Sequence, residues 1–226
     1  YNIYAEGDLN LILKGTNTIT SESNSSIQVE GELNILGVGT LVLNNYKEAG
    51  IKVRKDLKVK EEAKIITESE NIILNSIGKD IIIESGKIET LNSDIVSSNG
   101  QIIIKNGQVK ARNLKASQKL TIENGKTEAN QIYSSKEMEI TGGVIHCKAI
   151  KLDLYMPLTI RGGTINISGN DIGINTAGKI LIEGGDINVE GTDIAIYGGQ
   201  LNLQMTGGKL VAKGGRVGIE KNIEIS

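Results

Sequence analysis

The stretch LTIRGGTINISGNDIGINTAGKILIEGGDINVEGTDIAI, from Leu158 to Ile196, decides the fold. One pattern occurs in it twice. Leu158-Thr159-Ile160 leads through Gly162-Gly163 to Ile165 and Ile167, and Ile180-Leu181-Ile182 leads through Gly184-Gly185 to Ile187 and Val189. Period-two alternation of apolar residues puts them on one face of a strand. A third short apolar segment closes each unit, Ile172-Gly173-Ile174 and then Ile194-Ala195-Ile196. Each unit therefore holds three short strands, with a glycine bend between the first and second.

The same unit can be followed outward in both directions. Its lead apolar residues are Leu9, Leu33, Leu57, Ile81, Ile102, Leu120, Met138, Leu158, Ile180, Leu201 and Ile223, at intervals of 24, 24, 24, 21, 18, 18, 20, 22, 21 and 22. That period suits one coil of a β-solenoid and is too short for a propeller blade of roughly 40–45 residues. Five residues after the lead, glycine recurs at Gly86, Gly107, Gly125, Gly143, Gly163 and Gly185. Such a column implies a turn with positive φ, where a Cβ would be strained. Seven residues after the lead stand Ile88, Val109, Thr127, Ile145, Ile165 and Ile187, and two further on Thr90, Ala111, Ala129, Cys147, Ile167 and Val189. Both sets are expected to face inward.

These patterns predict an all-β, single-stranded parallel β-helix (β-solenoid) of about 10–11 coils, each of 18–24 residues, forming one domain over residues 1–226. The expected hand is right-handed, because the strict hexapeptides usual in left-handed forms are missing. A leucine-rich repeat shares the period, but the Gly-rich, β-branched back argues against it. The polar segments Ser21–Ser26 and Asn44–Glu48 read as projecting loops. The chain starts at Tyr1 and ends at Ser226 in strand phase, without a capping helix, so the expectation is a piece of a longer protein or an end covered by another chain.

Composition narrows the chemistry. With 28 Gly, 1 Pro, 6 Tyr, no Trp and no Phe, the core must be built from Ile, Leu, Val and Ala. The net charge of −2 gives no strong field, which argues against nucleic acid as the main partner. One Cys and one His exclude an internal disulfide framework, a Cys-based zinc site and a multi-histidine metal centre. No run of about 18 apolar residues is present, so no membrane insertion by a helix is expected. GVGTL at Gly37 to Leu41 lacks the glycines and following helix of a phosphate loop. No catalytic constellation is found.

The Leu158–Ile196 stretch, together with GDLNLILKGTNTI and GELNILGVGTLVL near the start, resembles a family of secreted bacterial β-helix proteins. That family is described as carbohydrate-binding and is related in fold to pectate lyases. Its unit runs from an Ile-x-Ile strand through a Gly-Gly turn and a second strand to an Asp-Asp-Gly-Ile segment. The resemblance implies polysaccharide as partner, a secreted or cell-surface location, and calcium as a possible cofactor held by oxygen ligands. Carried over to this chain, the metal positions are Asn170, Asp171 and Asn175 in one coil, with Thr192 and Asp193 in the next. Asn170 replaces the first Asp, Ile172 is inserted before Gly173, and Thr192 and Ala195 depart from the second copy.

Three tyrosines, Tyr133, Tyr155 and Tyr197, lie five, three and four residues before the next lead position and are expected to gather along one turn edge. Aromatic faces stack on sugar rings while the phenol hydrogen-bonds beside them. Lys151, Asp153 and Asn175 are the candidate polar neighbours. The column three residues after the lead, Glu84, Lys105, Glu123, Thr141, Arg161, Glu183 and Gln204, is expected to pair its charges across coils. His146 and Cys147 are adjacent on a strand, so they face opposite sides and cannot act as a nucleophile pair. The favoured reading is non-catalytic binding of an acidic or neutral extracellular polysaccharide. A rigid adhesin or spacer is the alternative, and a calcium-dependent polysaccharide lyase, with Arg161 as base beside Glu183, is the second.

Overall fold

A computed structural model describes residues 2–22, 24–44, 46–198 and 203–220, and the backbone of 223–225. Among the described residues all regular structure is strand, with no helix, and the strands pair in parallel as stacked solenoid coils. The chain divides into two compact units, Tyr1–Ser117 and Gln118–Ser226.

In the first unit the lead strands Leu9–Leu13, Leu33–Gly37, Leu57–Val59, Ile81–Ile83 and Ile102–Ile104 stack in register, Leu9 on Leu33, Leu33 on Leu57, Leu57 on Ile81 and Ile81 on Ile102. In the second unit Leu120 stacks on Met138, Met138 on Leu158 and Leu158 on Ile180. All these lead positions match the sequence reading. One does not: the residue paired with Ile180 is Leu203, and Leu203 pairs in turn with Ile223. Leu201 lies outside the described residues. Gln204 consequently stacks beside Leu181, and Thr206 takes the place above Glu183. The near-repeat Leu201-Asn202-Leu203 made the two registers look alike in sequence.

Inward positions carry aliphatic side chains stacked on their own kind. Ile122, Ile140, Ile160 and Ile182 are all fully buried, as are Ile145, Ile165 and Ile187 in the second strands. Each such side chain contributes about 1.5–3 kcal/mol relative to exposure. This is how the protein makes a core without Trp or Phe. The expected inward positions Ile88, Val109, Thr127 and Cys147 are buried, while Ala129 is half-buried.

The glycine column has positive φ at Gly86, Gly125, Gly143, Gly163 and Gly185, and also at Gly208, five residues after Leu203. Gly107 is the exception. Its φ is not positive, and a Cβ there would lie 2.5 Å from Cγ2 of Ile83, so close packing rather than backbone strain requires glycine.

Of the two segments expected to project, Glu22, Asn24, Lys47 and Glu48 stay exposed while other residues turn inward. Ser21, Ser25 and Ser26 are buried, and Tyr46 is only 3 % exposed. Its hydroxyl lies 3.2 Å from Ser93 Oγ, and Asn71 Nδ2 donates to its carbonyl at 2.9 Å. Burial pushes the Tyr46 phenol up. The ring fills the wide corner of a long coil, where aliphatic side chains alone would leave a void. Ser23 and Asn45, within these segments, lie outside the described residues.

Candidate functional site

The third strands of the second unit bring one outward column together. Tyr133 pairs with Lys151, Lys151 with Asn175, Asn175 with Tyr197, and Tyr197 with Glu220. The flanking residues Ile132 and Ser134, Leu152 and Ile150, Ile174 and Thr176 are buried, which fixes the column outward. Tyr133 and Tyr197 are three ladder steps apart, about 14 Å at the spacing of paired strands. Asp153 joins the column sideways, accepting a 2.7 Å hydrogen bond from the Tyr133 hydroxyl, which also lies 3.0 Å from Ser135 Oγ. Partial burial and the neighbouring Asp153 carboxylate hold the Tyr133 phenol above its ordinary value.

Tyr155 does not join them. It sits in the turn after the strand Val144–Leu152, 59 % exposed, with a φ of 64°. A bulky residue seldom adopts that conformation. The three tyrosines therefore do not share one edge: two stand on the strand column and one stands on the following turn.

Beside the column lies an open groove of about 490 Å³, lined by Gln131, Ala149, Lys151, Asn170, Asp171 and Asn175 among others. Its cause is a step in turn length. From the second-strand inward residue to the third-strand one, the separations are 5 residues for Thr127 to Ile132 and Ile145 to Ile150. They grow to 9 for Ile165 to Ile174, Ile187 to Ile196 and Leu210 to Ile219. The strands Lys126–Ser134 and Val144–Leu152 run straight across, whereas the next coil swings out through Gly169, Asn170 and Asp171 and walls the groove.

The carboxylates assigned to calcium by resemblance are otherwise engaged. Asp193 accepts from Arg216 Nε at 2.8 Å and Nη2 at 3.1 Å, and this pairing holds its carboxyl below the usual range. Asp171 Oδ1 accepts from the Thr192 hydroxyl at 3.0 Å. The carbonyls of Asn170 and Asp171 accept amides of the next coil. Among the described residues no three of His, Cys, Asp and Glu are grouped as they would be around a metal. Calcium takes about six to eight oxygens, so the donor set Asn170, Asp171, Asn175 and Asp193 does not fit the ion as arranged.

Arg161 is likewise occupied. Its Nε lies 3.0 Å from Glu139 Oε1, its Nη1 pairs with Glu183, and Lys119 reaches Glu139 Oε2 at 2.7 Å. This cross-coil network realises the ion pairing expected around Arg161 and leaves no free guanidinium for proton abstraction. Cys147 is buried and His146 exposed on the opposite face, and burial pushes the thiol up to about 12. The pair has no shared face on which to act.

A family profile described as Carbohydrate-binding domain-containing protein matches residues 2–195. The chain belongs to this carbohydrate-binding family. No curated protein and no solved structure matches it. For a member of a carbohydrate-binding family, a groove edged by amides and an ammonium beside two tyrosines is a chemically apt surface. The sequence pattern points to Lys151, Asn170, Asp171 and Asn175 but not to Gln131 or Glu220. The signal for the groove was present in the coil intervals, which lengthen from 18 and 20 to 22 at the coil that forms the wall.

Proposed function

We propose that the protein binds a polysaccharide along the outward third-strand column of its second unit, without catalysing its cleavage. The observation that carries this reading is the register that aligns Tyr133, Lys151, Asn175 and Tyr197 beside the groove. A span of about 14 Å exceeds a single sugar ring, so an extended chain can meet both tyrosines while amides and the ammonium bond its hydroxyls. The resemblance to secreted β-helix proteins supports a secreted or surface location. Engagement of Arg161 by two carboxylates supports binding without lyase chemistry. The misfit of the calcium donors supports binding independent of that ion.

The test is a glycan array followed by polysaccharide pull-down, with calcium and then with chelator. Tyr133→Ala with Tyr197→Ala is expected to lower retention by about tenfold, since rigid aromatic anchors dominate such contacts. Circular dichroism should stay native, and chelator should change nothing. Equal retention by the double variant would refute the column as the site. Failure to bind any polysaccharide would turn the reading to a rigid spacer, and a calcium-dependent rise in unsaturated uronate would restore the lyase.

A further inference from the structure

We infer that Asp153 is a positioning residue: with Ser135 it holds the Tyr133 ring in one orientation before a ligand arrives, so the column carries one fixed and one adaptable aromatic anchor. This rests on the polysaccharide reading above and adds how that same column is prepared. Tyr133 and Lys151 are ladder partners, and so are the buried residues that follow them, Ser134 and Leu152. Ser135 and Asp153 come next at the two strand ends, where the Asp153 amide donates to the Ser134 carbonyl at 3.3 Å. The Tyr133 phenol reaches both side chains, donating to Asp153 Oδ1 at 2.7 Å and lying 3.0 Å from Ser135 Oγ. A phenol has one proton, so with that proton on Asp153 the Ser135 hydroxyl donates to the phenol oxygen. Tied at its oxygen as well as at its backbone, the ring keeps one rotamer.

The corner that presents Asp153 is longer than its neighbours and strained. From the last buried residue of the third strand to the next lead position the chain takes six residues here, Leu152 to Leu158. It takes four from Ser134 to Met138 and four from Thr176 to Ile180. The turn begins at Asp153, whose carbonyl accepts from the Met156 amide at 3.2 Å, and runs through the left-handed Tyr155. Strain of that kind persists where the surroundings over-determine it, and it gathers at working sites. Here it accompanies a carboxylate at a ladder position that holds Ser135 in the coil before and Ala177 in the coil after. Tyr197, three ladder steps away, has no such clamp: its hydroxyl makes no hydrogen bond among the described residues. Immobilising a side chain on binding weakens affinity by about two- to tenfold, a loss that Tyr133 avoids and Tyr197 does not. With its proton committed, Tyr133 offers a ligand its ring, while Tyr197 offers a ring and a donor.

The ring can be followed without any ligand. With tyrosine rings labelled with carbon-13, Tyr133 should show a higher order parameter than Tyr197 in the native chain. Asp153→Ala should lower the Tyr133 value toward that of Tyr197, whereas Asp153→Asn, which keeps an oxygen acceptor, should retain it. Retention on hydroxyethylcellulose and carboxymethylcellulose, a neutral and a charged polymer, reads the effect on binding. It should fall by about two- to tenfold with Asp153→Ala and equally with Tyr133→Phe, which leaves the turn untouched, and stay near native with Asp153→Asn. Adding Asp153→Ala to Tyr133→Phe should change nothing further, because the hydroxyl that couples them is already gone.

A native Tyr133 ring as mobile as Tyr197, or one unmoved by Asp153→Ala, would overturn the inference. So would equal losses with Asp153→Asn and Asp153→Ala, since the carboxylate would then act on the polymer itself, or a further loss in the Tyr133→Phe background. No retention of the native chain on either polymer would sink the role in binding along with the column, and the ring measurement tells that failure from a ring that was never fixed.

Discussion

Gly163 shows how much one side-chain carbon would cost. Its φ is 94°, and a Cβ would sit 2.8 Å from the carbonyl oxygen of Gly143 in the coil before it. Gly163→Val should therefore destabilise the fold by about 1–3 kcal/mol, read as a lowered urea midpoint. Wild-type stability would mean the glycine turn is not strained. At Tyr155 the sign is reversed. Glycine removes the penalty of a left-handed backbone but adds freedom to the unfolded chain, so Tyr155→Gly should raise the thermal midpoint slightly, by about 0.5–1 kcal/mol in stability. These positions differ in legibility. The glycine column was visible in sequence because the same residue recurs at a fixed offset. The strain at Tyr155 was not, since nothing in Leu154-Tyr155-Met156 marks a left-handed turn.

Asp94, in the first unit, makes a residue-scale prediction about acid. Only 4 % exposed, it accepts from Arg112 Nε and Lys115 Nζ, both at 2.7 Å, and from Asn113 Nδ2 at 2.9 Å. Burial opposes its ionisation, yet Arg112 and Lys115 outweigh burial and hold the carboxyl below its ordinary value of 3.8. A carboxyl depressed by folding stabilises the native state above its unfolded value and loses that contribution as pH falls toward the folded one. Asp94→Asn should cost about 1–2 kcal/mol at neutral pH, a figure kept small because both cations are partly exposed. The stability gap to wild type should hold down to about pH 4 and close below it. A gap independent of pH would show that shape rather than charge matters there.

Among elements, the strands were easier to read than the turns between them. Alternating Ile and Val specify an inward face, and parallel stacking repeats that face from coil to coil, so period and register are written in the same residues. Turns carry no such redundancy. In the first unit the second-to-third separation falls from 10 residues at Leu41 to Ile51, through 9 and 7, to 5 at Val109 to Leu114. In the second it steps from 5 to 9 and opens the groove. Removing residues 168–171 should straighten that coil into a strand like Val144–Leu152. Such a deletion is expected to keep the all-β circular dichroism spectrum while lowering polysaccharide retention. Retention at the native level would show that the wall is not part of the site.

For the whole molecule the decisive compositional fact is a core without Trp or Phe. Stability comes from many equal aliphatic contacts rather than a few large rings, and the single thiol of Cys147 is buried among them. A thiol pushed up to about 12 and shielded from solvent reacts only when its surroundings open. Labelling of Cys147 by a disulfide reagent should therefore be slow in native buffer and rise steeply with urea, in step with loss of β signal in the second unit. Fast labelling without denaturant would contradict the burial. Composition made this kind of core legible from the start. It said nothing of where ligand meets protein, because that surface depends on which outward residues fall in register.

The changing turn lengths have a consequence for inheritance. Because the swing at Gly169–Asp171 leaves the stacked aliphatic residues in their places, insertions and losses at these corners can accumulate in descendants without disturbing what keeps the chain folded. Recognition and durability can thus be selected separately, and a lineage can explore new sugars by resizing corners while the coils pass on unaltered.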